Sequence, residues 1–174
     1  MSVHGLDFSQ LSLRDALDLA ILIEEEARER YEEFADQMDL HHTPAAAAFF
    51  RLMASNEAKH GAQLLEQRVE RFGSTPRKVS RDMLWDVEAP DFDQARAFMT
   101  PRQAMQAALR SERKAHAFFD AALPQVEDAE VKNLFKELRQ EEVAHQALVK
   151  AELGKLPPDA PGSPEDFEDE PTAQ

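Results

Sequence analysis

The sequence predicts an all-α protein: a four-helix bundle made of two helical hairpins joined by a long crossover. Three observations carry this. Apolar residues recur at alternating steps of three and four along four segments, and no segment sustains alternation of period two. Proline and glycine mark the ends of those segments. The chain also maps onto itself. A shift of 88 residues lays Ser12, Leu17, Ala20, Glu24, Ala27 and Tyr31 on Thr100, Met105, Ala108, Glu112, Ala115 and Phe119. A shift of 85 lays Phe50, Glu57 and His60 on Phe135, Glu142 and His145. Two copies of one helical hairpin account for both shifts.

The first helix is expected over 12–39. Ser12 caps it, Asp15 sits in its first turn, and Leu13, Leu17, Ala20, Glu24, Ala27, Tyr31, Phe34 and Met38 form its seam. The second is expected over 44–72. Thr43 offers a capping hydroxyl before Pro44, Gly73 ends the helix, and Phe50, Met53, Glu57, His60 and Leu64 line its seam. The third, over 100–123, repeats the Thr-Pro start at Thr100-Pro101, with Met105, Ala108, Glu112, Ala115, Phe119 and Ala122 inward. The fourth, over 128–153, turns Val131, Phe135, Leu138, Glu142, His145 and Val149 inward and stops at Gly154.

Short turns close each hairpin, and 73–99 connects them. Those 27 residues reach roughly 90 Å when extended, against a bundle of about 40 Å. The connection can therefore run the bundle's full length and make helices two and three parallel. Residues 1–154 are read as the domain. Residues 155–174, with five prolines, six acids and one base, are read as a disordered tail.

Composition removes whole classes of chemistry. With no cysteine among 174 residues there are no disulfides, thiolate zinc sites, iron–sulfur centres or cysteine nucleophiles. The net charge of −14 argues against nucleic acid or an anionic membrane as partner. No apolar run is long enough to span a bilayer, and the first residues lack a basic start and an apolar signal core. A cytoplasmic protein is expected.

Each of the four seams is interrupted by a carboxylate at mid-length: Glu24, Glu57, Glu112 and Glu142. A buried unpaired carboxylate costs several kcal/mol and normally protonates or finds a partner. Four directed at one axis would repel. Two divalent cations would balance them, and the imidazoles of His60 and His145 would complete the ligand set. In each E-x-x-H the two side chains lie one turn apart on one helical face. The expected ligands are Glu24, Glu57, His60, Glu112, Glu142 and His145. Glu25 or Glu26 would replace Glu24 if the register slipped, although the seam selects Glu24.

These motifs, Glu24-x-x-Ala27-x-x-x-Tyr31, Glu57-x-x-His60, Glu112 and Glu142-x-x-His145, resemble the di-iron motif of the ferritin-like superfamily, and most closely its rubrerythrin branch, over 12–153. The resemblance implies a ferritin-like bundle with two iron ions per chain, manganese or zinc being alternatives on isolation, and no haem. It places Tyr31 beside the site, hydrogen-bonding the ligand shell, with no catalytic residue beyond the ligands. It implies reaction with dioxygen or hydrogen peroxide, as ferrous oxidation, peroxide reduction or both. Two departures stand out. Rubrerythrins carry a second glutamate where this chain has Ala115, and their rubredoxin module needs four cysteines. Electrons would then come from ferrous iron or an external donor protein.

The alternatives are a non-catalytic iron-binding or delivery protein and a di-iron oxygenase acting on an organic substrate. The oxygenase needs room, which Ala20, Ala27, Ala108 and Ala115 can leave. His116, one turn after Glu112, either supplements the site or faces solvent. His41 and His42 are expected at the surface, and Trp85 is expected to seal the crossover. A homodimer is the expected assembly.

Overall fold

The computed structural model describes residues 7–81 and 99–158. A short 3-10 turn, Phe8–Gln10, precedes four helices: α1 (Leu13–Leu40), α2 (Pro44–Phe72), α3 (Pro101–Ala122) and α4 (Ala129–Leu153). The bundle is all-α, with no strand among the described residues. No described helix is long and apolar enough to cross a membrane. Trp85, residues 82–98 of the crossover and residues 159–174 of the tail lie outside the described residues.

Three of the four helix starts carry a side-chain cap. Ser12 accepts from the Asp15 amide, Asp128 accepts from Glu130 and Val131, and Thr100 closes a reciprocal capping box with Gln103. Thr43 departs from its expected role. Its hydroxyl makes no cap bond to α2 and instead donates to the Met38 carbonyl at 2.9 Å. It therefore satisfies the end of the preceding helix, while Pro44 at the first helical position removes one amide that would need an acceptor. Gly73 ends α2 at φ 62°, in the left-handed region. Gly154 ends α4 in ordinary right-handed geometry.

α1 packs on α2 and α3 on α4, the two hairpins of the repeat. Across hairpins, Arg71 near the end of α2 meets Glu130 at the start of α4, so these helices run antiparallel. Arg30 of α1 donates to Ser111 of α3 at 2.8 Å. α2 and α3 begin at the same end of the bundle, where Arg102 donates to the carbonyls of Leu156 and Pro157 beyond α4. They are parallel, and the connection must travel the bundle's length. Its described start runs along α1: Arg77 pairs with Glu25 and Arg81 with Glu29 one turn further on.

The departure of the crossover is anchored by an ion pair that sequence reading had not anticipated. Arg68 donates to buried Asp18 at 2.8 Å and to the carbonyls of Gly73 and Thr75. Asp18 interrupts the apolar run 16–23, which is the signal that it needs a buried partner.

The apolar core comes in two halves. One joins the start of α1 to the ends of α2 and α3 and the start of α4, around Phe118, Phe119 and Phe135. The other surrounds Tyr31, Phe34 and Phe50 at the opposite end. A polar layer separates them.

Candidate metal centre

The polar layer is built by the mid-length carboxylates. Glu24, Glu57, Glu112 and Glu142 are all buried, one from each helix. His145 is buried as well, whereas the His60 side chain keeps 25% of its surface exposed. The imidazole rings of His60 and His145 stack at 5.5 Å, 10° from parallel. The helical spacing of each E-x-x-H places its histidine one turn beyond its glutamate on the same face. Gly61 of α2 faces Glu24 of α1 here. A Cβ on it would lie 3.4 Å from Glu24 Cβ.

His145 Nδ1 lies 3.2 Å from Glu57 and 3.5 Å from Glu112. His60 Nδ1 lies 4.0 Å from Glu24, 3.9 Å from Glu57 and 3.9 Å from Glu141. That nitrogen is shielded from solvent and has no hydrogen-bond partner. Two ligand atoms each about 2.0–2.2 Å from one ion are separated by about 3–4 Å. The spacing around His60 is too long for hydrogen bonds and right for shared coordination. Among the described residues, three groups bring all their donor atoms within 4.8 Å of one another: Glu57–His60–His145, Glu112–Glu142–His145 and Glu24–His60–Glu141. A mixed imidazole and carboxylate set of this kind fits iron, and the residues present can hold it.

The electrostatics show what the donors do without a cation. Glu24 is pushed up to about 7: burial raises it most, its hydrogen bond to Glu57 and the charge of His145 lower it, and the Glu141 and Glu112 charges raise it. Burial opposes charge on His145, but its hydrogen bond to Glu112 and the surrounding carboxylates outweigh this and raise its pKa. His60 is lowered by burial and by the positive charges of His145 and Lys59. The layer thus gathers protons to offset its own negative charge, a role that a bound cation would take over.

All six residues expected as ligands are brought together. The Tyr31 hydroxyl, buried, donates to Glu112. Both alternatives to Glu24 are engaged elsewhere. Glu25 pairs with Arg77, and Glu26 feels Arg81 and Arg30. His116 is half-buried on α3 and joins none of the donor groups among the described residues, and His41 and His42 are exposed at the turn.

The room anticipated beside the small residues does not open. Ala20, Ala108 and Ala115 are packed into the core, and the cavity that Ala27 lines holds about 10 Å³. That accommodates about one water-sized molecule.

Glu141 is the carboxylate at the edge of the site that sequence reading missed. It adjoins Glu142 on the flank of the α4 seam, and only the packing of α4 against α2 brings it to His60. A doubled acid at a seam position was the one available signal.

Comparison with known proteins agrees with this geometry. The family model described as Rubrerythrin matches residues 15–153. Among solved structures, the chain is similar to an uncharacterized conserved protein from Magnetospirillum magnetotacticum MS-1. The two are 30% identical with a TM-score of 0.70, and the match covers 86% of this chain and 99% of that one. No curated protein matches.

Proposed function

We propose that this chain, which belongs to the rubrerythrin family, is a di-iron oxidoreductase of iron and oxidative-stress handling that reacts with dioxygen or hydrogen peroxide. The observation that carries the reading is the polar layer: four buried carboxylates and two imidazoles converging from four helices in an otherwise apolar core.

In this reading Glu24, Glu57, Glu112 and Glu142 supply the negative charge that holds the ions, and His60 and His145 supply neutral nitrogen donors. When bound, a ferrous pair supplies the two electrons that cleavage of a peroxide bond consumes. Tyr31 fixes the orientation of Glu112 through its hydroxyl. The two apolar half-cores keep bulk water from both ends of the site.

Ala115 leaves α3 with a single carboxylate at the site, which favours ferrous oxidation over peroxide turnover. Electrons come from ferrous iron or from an external donor protein, since the 174 residues contain no cysteine. The protein is proposed to work in the cytoplasm as a homodimer. Leu65 and Val69, exposed one turn apart on α2, offer apolar surface to a second copy, and light scattering of the purified chain tests the dimer.

Stopped-flow mixing of the ferrous-loaded protein with dioxygen, and separately with hydrogen peroxide, tests the activity. Rapid oxidation by at least one is expected. Slow reaction with both would leave an iron-binding or delivery protein, and much faster reaction with peroxide would make it a peroxidase. Metal analysis of the Glu57→Ala/Glu142→Ala double variant should find no bound ions, and retained metal would place the site elsewhere.

A further inference from the structure

We propose that Glu141 and His60 form the entry point through which a divalent cation passes from solvent to the buried carboxylates, at the floor of a cleft between α2 and α4. The proposal rests on the metal-site reading above and adds a residue and a direction to it.

A cleft of about 130 Å³ opens between these helices, lined by His60, Gln63, Gln67, Glu137 and Glu141 among others, with no lysine or arginine in its lining. Glu137 and Glu141 are four residues apart on α4 and therefore share a face. Exposure falls steadily along the path. Glu137 is exposed, the Glu141 side chain is 38% exposed, His60 25%, Glu24 6% and Glu57 3%. A cation moving inward meets an oxygen or nitrogen donor at every step while losing water gradually.

His60 joins the outer and inner parts of this path. Its shielded Nδ1, bonded to nothing, lies within 4.0 Å of Glu141 on the solvent side and of Glu24 and Glu57 on the buried side. It belongs to the outer group Glu24–His60–Glu141 and to the inner group Glu57–His60–His145. One imidazole can thus remain a donor while the carboxylates around it exchange. The edge of the site between α1 and α3 differs. The gap of about 10 Å³ within the layer is lined by Glu24, Glu57, Glu112, Glu142 and His145 themselves, with Arg30 and Tyr31 of α1 and Ser111 of α3 at its edge. Arg30 puts a positive charge on that edge, where the α2–α4 cleft has Glu137 and Glu141, and this disfavours cation passage there.

Cobalt(II) added to the metal-free full-length chain tests the proposal, because its visible absorbance reports binding without any turnover. In stopped flow, Glu141→Gln should slow association by about tenfold or more, the scale on which local charge acts on encounter. The number of ions bound at equilibrium and the final spectrum should match those of the unaltered chain. Glu137→Gln should slow association less, and Glu33→Gln, removing the same charge from an exposed position on α1, should leave the rate within about twofold. An unchanged rate in Glu141→Gln would overturn the proposal. So would equal slowing in Glu33→Gln, which would reduce the effect to net charge, or loss of an ion at equilibrium, which would make Glu141 a permanent ligand. If the unaltered chain bound no cobalt, the metal-site reading would fall too; normal binding with an unaffected rate removes this proposal alone.

Discussion

Glu24 carries the clearest pH signature in the bundle. Its folded pKa of about 7 lies above the ordinary 4.5, so between those values the folded chain holds a proton that the unfolded chain has released. Stability of the metal-free protein from this group is full below about 4.5 and is lost as pH rises through about 7, by at most roughly 3 kcal/mol. His145, also raised, works in the same sense above 6.5, whereas His60, lowered, adds stability as pH rises toward 6.5. Urea midpoints measured in chelator should therefore fall between pH 5 and pH 8, and a rising midpoint would contradict the assignment. Tyr31→Phe removes the hydroxyl that donates to buried Glu112. It should cost about 1–2 kcal/mol in the metal-free protein and weaken cobalt affinity about 10–100-fold, read by denaturation and titration.

At the scale of elements, helix starts were legible because capping is a local matter of two or three residues. Asp128 accepts from Glu130 at 2.8 Å and from Val131 at 3.0 Å. Asp128→Ala should lower stability by about 1 kcal/mol with an unchanged denaturant slope. Thr43 had the same local signature, yet its hydroxyl turned back to Met38. In a tight turn one side chain can reach both helices, and only the closed hairpin decides between them. Gly61 is a comparable case. In a helix interior it costs about 1 kcal/mol relative to Ala, and only the packed hairpin shows that a Cβ there would meet Glu24 of α1 at 3.4 Å, an ordinary contact.

For the whole molecule, the division of the core into two apolar halves makes the polar layer the costly part of the fold. Cations that bind the folded chain alone stabilise it by about 4 kcal/mol at a thousand times their dissociation constant. For a chain of this length that corresponds to a melting temperature about 10 °C higher. Calorimetry with and without cobalt should show this rise, and the Glu57→Ala/Glu142→Ala variant should show none. A similar rise in the variant would mean that the stabilising ion sits outside the layer.

Fold class, the four helices and the six converging donors were readable from the chain alone, because helical periodicity assigns each residue a face and the repeat doubles every signal. Those are relations between residues a few positions apart, or between two copies of one pattern. What only the tertiary structure decided are relations across elements: Asp18 with Arg68, Glu141 with His60, the start of the crossover laid along α1, and the closing of the space beside the alanines. The register of α4 against α2 and the depth of packing set these. Both depend on how whole side-chain surfaces interlock, which no local spacing encodes.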